Sequence, residues 1–329
     1  MTTMHTPVAF FVFNRPALTR RVFAAIREAQ PRRLLVVADG PRVDRAGEAE
    51  RCAEVRAIVE QVDWPCEVEH DYADVNLGCR SRIASGLDWV FDRVDRAIIL
   101  EDDCLPDPTF FVYGAELLDR YAADPHVMHV SGTSFMRNGW PGRASYVATR
   151  QPFVWGWATW RRAWQHYDVA LADWPQFRDR DGLRAWFADP RDRAGWVARF
   201  DDVHAGKIDT WDLQWAYTCM RSGGVSLMPT RNLVSNLGFG ADATHTRVWS
   251  RSAGMPLRPL EAPLTHPTAL AIDPALEADL QARLYRPLPT WMTLARRWAR
   301  KLIVGAQHLA APHPARQSRD ISPTSGRRP

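Results

Sequence analysis

Short apolar runs closed by polar or turn-forming residues alternate, through the first hundred positions, with stretches whose apolar residues recur every three to four places. Pro7–Phe13 reads as a strand, and Pro16 then opens a helix on which Leu18, Val22, Phe23 and Ile26 share a face. Leu34–Ala38 is a second strand. The turn Asp39-Gly40-Pro41 follows, then a helix with Cys52, Val55, Val59 and Val62 on one side, then a short strand at Glu67–His70. Ile83, Leu87, Val90, Phe91 and Val94 mark a further helix before the strand Ala97–Leu100. This order predicts an α/β fold whose mostly parallel central sheet is flanked by helices, with right-handed crossovers and a ligand crevice at the strands' carboxyl ends. Asn14, Asp39 and Asp71 all follow strands and are expected to line that crevice.

The most informative chemistry sits at the same edge. Glu101, Asp102 and Asp103 directly follow the strand Ala97–Leu100, where three adjacent carboxylates can hold a divalent cation against a phosphorylated ligand or form a solvated acidic turn.

Size, charge and cysteines narrow the classes. A chain of 329 residues accommodates one large α/β domain with an appendage, and 42 Lys+Arg against 38 Asp+Glu leaves a net charge of only +4, so no nucleic-acid partner is expected. Five widely spaced cysteines without a C-x-x-C pair argue against a disulfide framework or zinc knuckle, and for a reducing compartment. Val8–Phe13 is too short for a signal h-region or a membrane span, which points to a cytoplasmic protein.

Four blocks together resemble a GT-A-fold glycosyltransferase of the bacterial family 2-like kind. They are Phe13-Asn14-Arg15-Pro16, Ala38-Asp39-Gly40, Asn76-Leu77-Gly78, and Leu100-Glu101-Asp102-Asp103 with Pro106-Asp107-Pro108-Thr109-Phe110-Phe111. The last is similar to the acidic block of N-acetylglucosaminyltransferase I. The resemblance covers roughly residues 6–247 and implies a nucleotide diphosphate sugar donor, with UDP as the nucleotide. By the same resemblance Asp39 contacts the base, Asp102 the ribose, and Asp103 ligates Mn²⁺ or Mg²⁺ at the diphosphate. Asn14, Arg15, Asn76, Arg80 and Glu101 complete the implied donor-binding set, although Glu101 stands where the simplest D-x-D pattern has Asp. Asn14 as a helix cap and Asp39 as a turn former are the alternatives their residue types favour.

Two later segments extend the site. Trp155, Trp157, Trp160 and Trp164 fall within ten positions of a chain that carries fifteen tryptophans. Trp157, Trp160 and Trp164 are spaced for one helical face, and Trp160 and Trp164 read as core. Trp155, Gly156 and Trp157 read as a turn-like wall against a sugar. Asp209-Thr210-Trp211-Asp212-Leu213-Gln214-Trp215 opens a helix with Asp209 as expected N-cap and Trp211, Trp215 and Cys219 as a buried stripe. Inverting transferases place an Asp at such a helix start before a Trp, so Asp212 is the expected catalytic base acting on a hydroxyl acceptor, glycan or lipid-linked; a first-turn Asp complementing the helix dipole is the plainer alternative.

After a strand at Gly224–Met228, the glycine-containing stretch Asn236–Thr246 reads as a lid, and His245 as a second metal ligand or an ordinary loop histidine. The domain reading is residues 1–250 catalytic, 251–312 a C-terminal extension and 313–329 a disordered tail. Within the extension, Trp291–Leu309 is amphipathic and basic, suited to peripheral contact with the inner face of a membrane or to packing back on the protein. A sugar-phosphate nucleotidyltransferase and a non-catalytic sugar-binding scaffold are the rival functional classes.

Overall fold

The computed structural model describes residues 4–136, 139–239 and 254–286. His245, the 291–309 segment and the tail lie outside the described residues. Strand and helix alternate as β1 (Val8–Val12), α1 (Pro16–Ala29), β2 (Arg33–Ala38), α2 (Glu48–Val59), β3 (Glu67–Tyr72), α3 (Cys79–Arg93) and β4 (Arg96–Glu101). Then come β5 (Cys104–Pro106), α4 (Pro108–Arg120), β6 (Val127–Ser131), β7 (Tyr146–Thr149), β8 (Trp157–Trp160), α5 (Arg161–Trp164) and α6 (Trp174–Asp179). The chain continues through α7 (Pro190–His204), α8 (Asp212–Arg221), β9 (Val225–Pro229), β10 (Val234–Asn236) and α9 (Pro274–Leu280).

Among the described residues, eight strands form the central sheet in the order β3-β2-β1-β4-β8-β6-β9-β7. The expectation of a mostly parallel sheet holds for the first four strands; beyond β4 the sheet is mixed, because β8 runs antiparallel to both β4 and β6, and β7 to β9. Residues alternate faces along the parallel strands. Val8, Phe10, Val12, Leu34, Val36, Ile98 and Leu100 pack toward α1, α2 and α4, whereas Ala9, Phe11, Leu35, Val37, Ala97 and Ile99 pack toward α3, α5 and α8. Burial on both faces is why these strands read as continuous apolar runs. Chain order reverses direction across the sheet between β1 and β4, the switch point at which an open α/β sheet forms its crevice.

The 157–164 segment departs from its helical reading. Trp157–Trp160 is a strand with every residue buried, and only the four residues Arg161–Trp164 are helical. Trp160 and Trp164 are core residues. A third aromatic cluster joins α6, α7 and α8 through Trp174, Phe177, Trp196, Phe200 and Tyr217. The compact unit extends to Tyr285, past the boundary read at residue 250. Residues 254–285 lack periodicity yet tie in closely: Glu277 accepts from the Thr149 hydroxyl (2.6 Å), and Gln281 accepts from Trp196 Nε1 (3.1 Å). No helix among the described residues is long and apolar enough to cross a membrane.

Candidate functional site

A cleft of about 500 Å³ opens at the carboxyl ends of β1 and β4. Arg15, Asp39, Asn76, Glu101, Asp102, Asp103, Trp155 and Asp212 all line it, with Arg42, Arg82, Cys79, Thr210 and Phe239. Its position follows from register. Phe11 pairs with Glu101, so the chain just beyond β1 meets the acids just beyond β4, and Phe13 N–H donates to Asp102 (3.3 Å).

Among the described residues, one guanidinium is bonded into the acidic floor. Arg15 donates to Asp102 and, at 2.9 Å, to Asp103 Oδ2. Both aspartates are buried and Glu101 is half-buried. Burial, reinforced by Asp103's charge, raises the Glu101 carboxyl, and burial raises that of Asp102 against the pull of Arg15. The other cleft arginines are engaged elsewhere: Arg42 with Glu48 (2.6 Å) and Arg82 with Asp71 (2.8 Å). Among the described residues, three adjacent carboxyl groups therefore face a single fixed cation.

Glycine shapes one wall. A Cβ on Gly238 would fall 2.0 Å from Asp103 Oδ2 and 3.0 Å from the Arg15 guanidinium, so only a residue without a side chain lets this backbone lie on the acidic pair. The peptide is held there by Leu237 N–H donating to Asp103 O (2.8 Å) and Gly238 N–H donating to Asn236 Oδ1 (2.8 Å). Phe239 meets Trp155 edge-on, with ring centroids 5.5 Å apart.

Asp212 begins α8 on the opposite side. Its Oδ1 accepts from Leu213 N–H (2.9 Å) and from the Thr210 hydroxyl. Beneath it Trp211 stacks on Trp157 (5.8 Å), and Trp157 stacks on His129 (5.0 Å). Asp209 is not the N-cap that its type suggested. Trp211 occupies that position, and Asp209 pairs with Arg80 (3.0 Å), joining this turn to α3.

Several expected positions have other employment. Asp39 accepts four hydrogen bonds from within the protein, from Gly40 N–H (2.8 Å), Leu77 N–H (2.9 Å), Gly78 N–H (3.2 Å) and Asn76 Nδ2 (2.9 Å). That fills the capacity of a carboxylate, so Asp39 fixes the turn entering α3 and has no lone pair left for a base. Asn14 does not line the cleft and caps no helix; its amide donates to Glu48 (2.7 Å), which it holds together with Arg42. Arg80 is likewise absent from the wall and belongs to the ion pair with Asp209. Trp157 is 1% exposed inside β8, a core residue instead of a sugar wall. Gly156 is buried, its carbonyl accepting from Gly132 N–H (2.7 Å). Asp71 is spent on Arg82.

Sequence reading missed Arg42 and Glu48. Their contact spans a turn with no periodicity, and Glu48, only 1% exposed, resembles an ordinary first-turn helix acid in the sequence.

No ready-made cage of three or more His, Cys, Asp or Glu ligands occurs among the described residues. The donor set nonetheless fits a hard cation. Glu101, Asp102 and Asp103 offer only oxygen ligands with more negative charge than Arg15 balances, and Mg²⁺ or Mn²⁺ needs one or two carboxylates when phosphates and water supply the rest.

No family model matches the chain, and no curated protein matches it. Among solved structures, one of a UDP-glucose pyrophosphorylase complexed with UDP-glucose aligns at 10% identity, covering 50% of this chain and 79% of that one with a TM-score of 0.30. A likeness that slight carries no argument about fold or function.

Proposed function

We propose that the protein is a metal-dependent, inverting GT-A glycosyltransferase that moves a sugar from a UDP-sugar to a hydroxyl acceptor. One observation carries this reading: Glu101, Asp102 and Asp103, at the end of β4, and Asp212, at the start of α8, open into one cleft although they lie far apart in sequence. In this reading Asp103 and Glu101 hold Mn²⁺ or Mg²⁺, which when bound neutralises charge on the departing diphosphate. Arg15 orients the acids. Asp212, on a rigid helix start, accepts the acceptor hydroxyl's proton. Trp155 and Phe239 form an aromatic corner suited to the apolar face of a sugar. A nucleotidyltransferase is disfavoured by the β1–α1 connection, Phe13-Asn14-Arg15, which lacks the glycines a phosphate-cradling loop uses.

Thermal unfolding with UDP-glucose, UDP-N-acetylglucosamine and GDP-mannose, each with and without Mn²⁺, tests the reading. A ligand at a hundredfold its Kd adds about 2.7 kcal/mol of stability, readily seen as a rise in Tm. At least one UDP-sugar should stabilise the protein only with Mn²⁺, and Asp103→Ala should abolish that rise. No stabilisation by any nucleotide sugar would overturn the assignment, and formation of UTP from a UDP-sugar and pyrophosphate would favour the nucleotidyltransferase instead.

A further inference from the structure

A second, larger cavity of about 950 Å³ shares no wall residue with the acidic cleft. It lies beside the sheet edge at β7, between residues 134–136 and 139–145 on one side and the loop 255–265 on the other. Its charge is opposite in character. Among the described residues, Arg143, Arg231 and Arg258 line it against a single acid, Glu261, and that acid is paired with Arg231 (3.1 Å). The Arg143 and Arg258 side chains have no hydrogen-bond or ion-pair partner among the described residues. Both line the same open cavity.

The rest of the lining includes small and aromatic residues. Ser134 is 5% exposed and lines the cavity. Trp140 forms an aromatic wall and is held in place from behind: a Cβ on Gly142 would fall 2.5 Å from its Nε1, so the indole lies directly on the glycine backbone. The floor is equally rigid. Asn232 accepts from Ser134 N–H (3.1 Å) and donates to the carbonyls of Met255 and Pro256 (3.4 and 3.3 Å), pinning the proline-containing loop to β10's entry.

We infer that this cavity is a binding site for an anionic saccharide, a sugar bearing a carboxylate or a phosphate. Arg143 and Arg258 would take the acidic group through charge-assisted hydrogen bonds, and Trp140 the apolar C–H face. The volume exceeds what a monosaccharide fills and suits a short oligosaccharide. The inference stands independently of the transferase reading, because it uses none of the acidic cleft's residues.

The test is calorimetric titration of the full chain, without metal or nucleotide, using glucose 6-phosphate, glucuronate, glucose and inorganic phosphate. Glucose 6-phosphate or glucuronate should bind, and which of them binds more tightly identifies the acidic group. Glucose alone should bind at least about tenfold more weakly, the worth of a hydrogen bond to a charged group. Binding should weaken as salt rises. The double variant Arg143→Ala/Arg258→Ala should lose about tenfold or more in affinity while its Tm stays near that of the parent, both side chains being exposed. Trp140→Phe should remove the ligand-induced change in tryptophan fluorescence. Undiminished binding by the double variant, no binding of either acidic sugar, or inorganic phosphate binding as tightly as the sugar phosphate would each overturn the inference.

Discussion

Arg15 shows how much one side chain can decide in a crowded acidic site. Its guanidinium satisfies Asp102 and Asp103 together, so it is the resident cation where a divalent metal would enter. Metal alone must compete with a fixed, fully charged group already bonded to Asp103 Oδ2. Arg15→Met should therefore raise the affinity for Mn²⁺ in the absence of nucleotide, read by titration calorimetry or by loss of the free Mn²⁺ resonance signal. The same variant should bind UDP more weakly, since a positive group is gone from the cleft. If metal affinity falls or is unchanged, Arg15 does not compete for that site.

Asp212 and Asp209 separate in the same way. A general base contributes about 10²–10⁴ in rate, so Asp212→Asn should lower kcat by that order while UDP-sugar affinity stays within about twofold. Asp209 is 65% exposed on its side chain and pairs with Arg80 at the surface, so Asp209→Asn should cost little in either measurement. An inactive Asp209→Asn beside a fully active Asp212→Asn would reverse the roles.

At the scale of elements, β6, β8 and α8 hold Asp212 through a stack of buried rings. Trp215 Nε1 is only a donor and gives its hydrogen bond to His129 Nδ1 (3.1 Å), which fixes the other ring nitrogen, Nε2, as the donor to Phe153 O (3.1 Å). His129 is fully buried, and burial lowers its pKa to about 3. The unfolded chain takes up this proton below about pH 6.5 and the folded chain does not, so the native state loses stability as pH falls from there toward 3. The loss attributable to this ring should approach about 1.4 kcal/mol per pH unit. His129→Gln, which cannot ionise, should be less stable than the parent at pH 7.5 and should lose less on acidification to pH 5, as followed by urea unfolding. Parallel pH dependences of the two proteins would show that His129 titrates normally.

Legibility also divides by element. β1, β2 and β4 stand out as apolar runs because both their faces are covered by helices, and α3 stands out because one face alone is. β8 was hidden for the first of these reasons combined with chance spacing. Trp157 and Trp160 are three apart and imitate a helical stripe, while a strand buried on both faces shows no alternation to contradict them. Site residues at strand ends were legible as types but not as partners. The sequence carries nothing to say that Asp39 would be saturated by the 76–78 turn, or that Asn14 would turn away to Glu48, because both depend on loop geometry.

For the whole molecule, the end of the compact unit is what the chain's proline-rich stretch concealed. Residues 254–285 have weak helical periodicity and read as an extension, yet Leu280 is fully buried against Val147, Phe153 and Met228. Glu277 caps the end of β7 by accepting from the Thr149 hydroxyl and Arg150 N–H (2.6 and 3.1 Å), and Arg199 donates to Tyr285 O (2.6 Å). Ending the chain at residue 250 would expose that apolar patch and leave Thr149 and Trp196 Nε1 without their buried partners; removal of a buried leucine alone costs about 2–5 kcal/mol. A chain ending at residue 286 keeps all of these contacts. The two truncations should therefore differ sharply: the 1–286 chain should unfold cooperatively within a few degrees of the full-length protein, whereas the 1–250 chain should be insoluble or melt at a much lower temperature. Equal melting temperatures would place the C-terminal boundary of the domain at residue 250 after all, and a destabilised 1–286 chain would mean that residues beyond Arg286 contribute to the core.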